Sequence, residues 1–225
     1  MQYHLRAKKI ESKHGFSLRT GSEADFEREA GFSRPPLTVK QVHEHRVLRL
    51  DAPEDALEGE NKQQADALIT DVPGLAIAVM TADCVPILLE DPATGAVAAV
   101  HAGWRGTVQR IVMETIEAMK REYGTRPEDL RAAIGPAIGA CCYEIGPEVI
   151  RELEKLPGAN ACLLPGEGEK AFADLRGFNA FQLQNLGVAS IELVGECTRC
   201  REDLFYSYRR NGPHAGRMLA AIERT

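Results

Sequence analysis

The chain has 225 residues, of which 44% are hydrophobic and 27% charged, and a formal net charge of −6. That is the composition of a globular protein able to bury a core without disulfides or a structural metal, and it lacks the basic face a general nucleic-acid binder needs. The longest apolar stretches are far too short to cross a bilayer, and the opening MQYHLRAKKIESKHG has no apolar region behind its positive charges, so neither a membrane span nor a secretory signal is predicted.

A single domain over residues 1–225 is expected, in the cytoplasm, with the six cysteines held as reduced thiols. Up to about Val47, short β-like runs mix with turn residues, and the acidic stretch 51–64 reads as a solvated loop. ADALIT, LAIAVMT, CVPILLE and AVAAVHA follow as apolar runs separated by Asp, Gly and Pro, the pattern of mostly buried strands. A helix is predicted from about Trp104 to Tyr123, where Val108, Ile111, Val112, Thr115, Ile116 and Met119 step by three and four before Gly124 stops it. A short strand near 131–134 leads into the loop IGPAIGACCYEIGP, and Pro147 opens a helix to about Leu156. A helix from Leu175 to Leu186, a strand at IELVGEC, and an arginine-bearing loop with a closing strand complete a mixed α/β chain.

The densest chemical signal is TADCVPILLEDPATGAVAAVHAGWRGT, residues 81–107. If its two apolar runs pair antiparallel around 91–95, Cys84 and His101 come together at one end. His43, in KQVHEHRV, supplies a third group. One Cys and two His suit Zn²⁺ with a fourth position left for water or substrate, and their wide spacing differs from that of a zinc finger. Spacing alone leaves open a buried strand cysteine beside capping histidines, and His45 is a possible substitute for His43. Gly103, Arg105 and Gly106 open the helix after His101, and with its unpaired amides they form an expected anion pocket. Asp83 would serve as a general base or orient a ligand, given a bend that turns it toward Cys84. Arg209, Arg210 and Arg217 are further groups able to reach a substrate, and the CxxC at Cys197 and Cys200, lacking a second CxxC or a neighbouring His, reads as structural.

QVH at 41–43, TADCVPILL at 81–89, AAVHAGWRGT at 98–107, IGP with CCYEIG at 134–146, and CT, FYSYRR and GR at 197–217 resemble the YfiH-like laccase-domain family. Its members are labelled multicopper polyphenol oxidases, purine nucleoside phosphorylases or peptidoglycan editing factors. The resemblance implies a mixed α/β (α+β) fold, with sheets sandwiched between helices, shared distantly with a deamidating toxin. It implies a metal set of His43, Cys84 and His101, holding zinc with copper possible, and it places the family's FxxR arginine at Arg19. The implied activity is phosphorolysis of adenosine, inosine, guanosine and methylthioadenosine plus adenosine deamination, with purine nucleosides and phosphate as partners. Glu44 stands where the family has Gly, and the N-terminal segment is shortened after HGFSLRTG. Two other activities compete. A Cys–His hydrolase of peptidoglycan precursors would use Cys84 as nucleophile and His101 as base. Laccase chemistry is disfavoured, since the chain has six histidines and only His43-Glu-His45 forms an HxH pair.

Overall fold

The computed structural model describes residues 2–53 and 62–225. Most of the acidic stretch expected as a solvated loop, residues 54–61, lies outside the described residues. The N-terminal part forms strands β1 (His4–Leu5) and β2 (Lys13–Ser17), helix α1 (Glu23–Ala30) and strand β3 (Val47–Arg49). α1 is an addition to the sequence expectation, although both its ends are written in the chain. Ser22 Oγ accepts from the Asp25 N–H while Asp25 accepts from the Ser22 N–H, and Gly31 closes the helix in the left-handed region.

The central apolar runs form β4 (Ala67–Thr70), β5 (Ala76–Thr81), β6 (Val85–Glu90) and β7 (Val97–Ala102), as expected. The long helix after them is two. α2 (Trp104–Val108) ends at Gln109, and α3 (Ile111–Tyr123) begins after Arg110, which adopts a left-handed φ of 58°. The apolar periodicity runs through this break because Val108 and Ile111 both face the same core. Carbonyl groups freed at the break find other donors: Thr107 O accepts from Gln182 Nε2 at 2.9 Å.

The second half contains β8 (Arg131–Ile134), β9 (Glu144–Ile145), α4 (Pro147–Leu153), α5 (Ala159–Cys162), β10 (Leu163–Pro165), β11 (Ala171–Ala173), α6 (Leu175–Asn185), β12 (Ser190–Leu193), α7 (Tyr208–Asn211) and β13 (Met218–Glu223). α4 stops short of Leu156, whose position before Pro157 disfavours helical backbone. β12 stops short of Cys197, with Gly195 turning the chain at φ 73°.

A six-stranded sheet of order β12-β8-β6-β7-β4-β3 lies over a four-stranded sheet of order β1-β2-β13-β5, and β10-β11-β9 form a small third sheet. Alternation of side chains divides the large sheet between two cores. Ile69, Val85, Ile87, Leu89 and Val100 pack with Ile111, Ile116 and Phe178 of the helices. Leu68, Leu88 and Ala99 pack against Phe16, Ile77, Val79 and Ile222 of the other sheet. Phe26 and Ala30 of α1 cover the far side of the four-stranded sheet. Burial on both faces explains why these strands read as unbroken apolar runs. Each fully buried Leu or Ile contributes about 1.5–3 kcal/mol. The expected sandwich of sheets between helices is therefore present.

Candidate active site

β6 and β7 pair antiparallel with Val85 opposite Ala102 and Pro86 opposite His101. This register sets Cys84, just before β6, beside His101 near the end of β7. His43 arrives from the loop before β3, held in a left-handed conformation at φ 62°. The three ligand atoms lie within 4.8 Å of one another, and the His43 and His101 rings meet edge-on at 4.8 Å. Glu44 keeps an ordinary φ, because the left-handed turn falls on His43 itself; the missing family glycine has no backbone cost here.

Asp66 organises the cluster, and sequence reasoning missed it. Its Oδ1 lies 2.8 Å from His101 Nδ1, and its carboxylate accepts the N–H groups of Val42, His43 and Glu44 at 2.9–3.1 Å. Burial opposes its charge, but His101 and these N–H groups keep its pKa below the ordinary carboxyl value. Gln41 fastens the same loop to β5, donating to Met80 O and accepting from Met80 N–H. An acid immediately before the apolar run ALIT was the available signal.

Burial works against ionisation of Cys84, yet the charge and hydrogen bond of His101, with a hydrogen bond from His43, lower its pKa to about 6. Burial likewise opposes charge on His101, and Cys84 and Asp66 raise its pKa to about 9. The donor set fits a thiophilic divalent cation. Nδ1 of His101 is engaged by Asp66, so Nε2 is the nitrogen left for a ligand bond. Gly103 leaves room around the sulfur, since a Cβ there would lie 3.2 Å from Cys84 Sγ and 3.3 Å from His43 Cδ2.

The cluster opens into a cavity of about 830 Å³ whose walls include Met80, Trp104, Arg105, Tyr143, Arg209 and Arg217. Arg105 lies 4.5 Å over the Trp104 ring, and Arg209 lies 5.1 Å over Tyr143. Burial, with the Cys84 charge beside it, pushes the Tyr143 phenol up to about 12.

Asp83 also lines the cavity, and its φ of 95° supplies the bend that its neighbourhood with Cys84 requires. Its carboxylate accepts from Thr198 Oγ1 at 2.6 Å, Ser207 Oγ at 3.1 Å and Arg209 N–H at 2.6 Å. Gly103 caps α2 and Gly106 is buried, where a Cβ would lie 3.1 Å from Glu44 O. Because α2 is only five residues long, the amide dipole behind them is shorter than the expected continuous helix would give. Arg19 points elsewhere: it donates to Glu202 O at 2.8 Å, stacks on Tyr206 and is not among the described residues that line the cavity. Arg210 is spent on the carbonyls of Thr198, Arg199 and Phe205.

The profile of the family described as multi-copper polyphenol oxidoreductase laccase matches residues 21–225. A purine nucleoside phosphorylase from Deinococcus radiodurans is 40% identical over 184 residues, spanning 82% of this chain and 68% of that protein. An adenosine deaminase named RL5, from an unknown prokaryotic organism, is 42% identical over 184 residues, 80% of this chain and 68% of its own. The crystal structure of YlmD from Geobacillus stearothermophilus superposes with a TM-score of 0.86 at 27% identity, over 99% of both chains. The chain belongs to this laccase-like YfiH/YlmD family.

Proposed function

We propose that this family member is a metal-dependent purine nucleoside enzyme: a phosphorylase of adenosine, inosine, guanosine and methylthioadenosine that also deaminates adenosine. The observation that carries the reading is the convergence of His43, Cys84 and His101 within 4.8 Å at the wall of a cavity large enough for a nucleoside. The names of the relatives, purine nucleoside phosphorylase and adenosine deaminase, support the substrate class. His43, Cys84 and His101 would hold the ion. Zinc is the choice for a Cys/His₂ set with an open position, and copper also suits these donors. Bound there, zinc would supply Lewis acidity beside the substrate.

The chain's own residues do the rest. Asp66 fixes His101 through Nδ1. Arg105, Arg209 and Arg217 put three cations on the cavity wall, able to hold phosphate against the ribose, while Gly103 and Gly106 let the backbone approach. Tyr143 stays protonated at neutral pH and offers its hydroxyl to a purine nitrogen or the ribose. Asp83, with three hydrogen bonds already accepted, is a positioning residue that ties the C-terminal loop and Arg209 to the site. We assign the whole of residues 1–225 to one domain and the enzyme to the cytoplasm; no helix among the described residues is long and apolar enough to cross a membrane. Product analysis tests the reading. Incubation with adenosine is expected to give adenine only when phosphate is present and ammonia without it, and absence of both products contradicts the proposal.

The low Cys84 pKa and high His101 pKa favour a second reading, a thiolate–imidazolium hydrolase of peptidoglycan precursors with Cys84 as nucleophile. Stoichiometric metal that blocks alkylation of Cys84 would exclude it.

A further inference from the structure

The CxxC that sequence spacing left without partners has them in space. β8 and β12 are parallel neighbours, and an isolated bridge between Ala137 and Cys197 carries their pairing into the loops that follow. The β8 loop brings Cys141 and Cys142, and the β12 loop brings Cys197 and Cys200. All four sulfurs lie within 4.8 Å of one another. We propose that these four cysteines form a second, structural zinc site, separate from His43, Cys84 and His101, that clamps the two loops together.

The geometry favours a metal over disulfides. A tetrahedral zinc tetrathiolate with Zn–S bonds of about 2.3 Å has S···S edges of about 3.8 Å. Cys200 Sγ lies 3.6 Å from Cys141 Sγ and 3.4 Å from Cys142 Sγ, close to both at once, whereas a disulfide would single out one partner at about 2.05 Å. Four sulfurs with no imidazole or carboxylate among them select a soft tetrahedral ion. The backbone around the four sulfurs accommodates them. The Gly139 N–H donates to Cys197 Sγ at 3.2 Å, and a Cβ at Gly139 would lie 3.4 Å from both Cys141 Sγ and Cys197 Cβ, so glycine leaves space for the group. The guanidinium of Arg199 is held by Cys142 and adds positive charge beside the cluster. Cys141 and Cys200 are exposed, so an ion has a path in.

The clamp has a mechanical consequence. Thr198 lies inside the CxxC and donates to Asp83, while the Ile138 N–H, in the other loop, donates to Asp83 O at 3.0 Å. Both loops therefore hold Asp83, and the zinc would fix their separation.

The test uses full-length protein purified in reductant and loaded with zinc alone. In Cys84→Ala, which takes the sulfur out of the other ligand set, one equivalent of zinc is expected to remain, with an X-ray absorption spectrum of sulfur neighbours only. A Cys142→Ser, Cys200→Ser double variant should lose that equivalent and melt at lower temperature, keeping a zinc with mixed nitrogen and sulfur neighbours. Should the double variant not fold, wild-type protein answers by differential alkylation: the four cysteines should be protected from iodoacetamide by zinc and exposed by a chelator. Zinc-free Cys84→Ala, equal alkylation with and without chelator, or a disulfide found by mass spectrometry overturns the proposal. No readout involves nucleoside turnover, so the result is independent of the activity proposed above.

Discussion

Asp66 Oδ1 and His101 Nδ1 lie 2.8 Å apart, and the same carboxylate receives the N–H groups flanking and including that of His43. One buried acid thus orients the His101 imidazole through its ring and positions His43 through its backbone.

Asp66→Asn should therefore weaken the site without touching a ligand. The amide replaces one acceptor oxygen with a donor group facing N–H partners. Loss of such a supporting group typically costs about 10–100-fold in metal affinity. Zinc competition against a chromophoric chelator measures it, and an unchanged affinity would show that Asp66 serves only the loop.

In metal-free protein, Cys84 should alkylate as a low-pKa thiol. The thiolate is the nucleophile, so the rate falls as pH drops through about 6 and is level above it, instead of rising toward the ordinary thiol value of 9.0. Iodoacetamide labelling across pH, read by mass spectrometry, gives the midpoint. A midpoint near 9.0 would mean that His101 does not share its proton as the geometry implies.

Gly103→Ala places a methyl 3.2 Å from Cys84 Sγ and 3.3 Å from His43 Cδ2. Its φ of −70° is open to any residue, so the fold should lose less than about 1 kcal/mol. Zinc affinity and kcat/KM should both fall. Equal loss of stability and activity in a thermal melt and a kinetic assay would point to misfolding instead.

Glu223 is buried at the end of β13, bonded to Lys13 and Ser33. Burial tends to raise its pKa, but Lys13 and Ser33 hold it below the ordinary 4.5. A depressed carboxyl pKa stabilises the fold above the unfolded value, and that contribution is lost as pH falls through the folded one. Wild type should lose stability below about pH 4.5 more steeply than Glu223→Gln, which should be the weaker of the two at pH 7. Denaturant melts at both pH values decide it.

Much of this arrangement was legible in the chain. The four central strands followed from apolar runs, and the β6–β7 hairpin that joins Cys84 to His101 followed from the turn residues at 91–95. What escaped depends on partners distant in sequence or on unusual backbone. The break at Arg110 carries no glycine and leaves the apolar period intact, so nothing local marks it. α1 was readable from Ser22, Asp25 and Gly31, but its apolar face is only Phe26 and Ala30. The four-cysteine cluster arises from parallel pairing of β8 and β12, which no spacing within either loop reveals. The continuous helix expected to start at the anion pocket is instead the five-residue α2, and Arg105, Arg209 and Arg217 are the cations that line the cavity there.

The most direct test of the central claim is metal reconstitution followed by phosphate-dependent release of hypoxanthine from inosine. Wild-type protein stripped by a chelator should be inactive and regain turnover in proportion to zinc bound at His43, Cys84 and His101, while Cys84→Ala should not recover at any zinc concentration. Full activity in the stripped protein, or turnover by Cys84→Ala, would contradict the account.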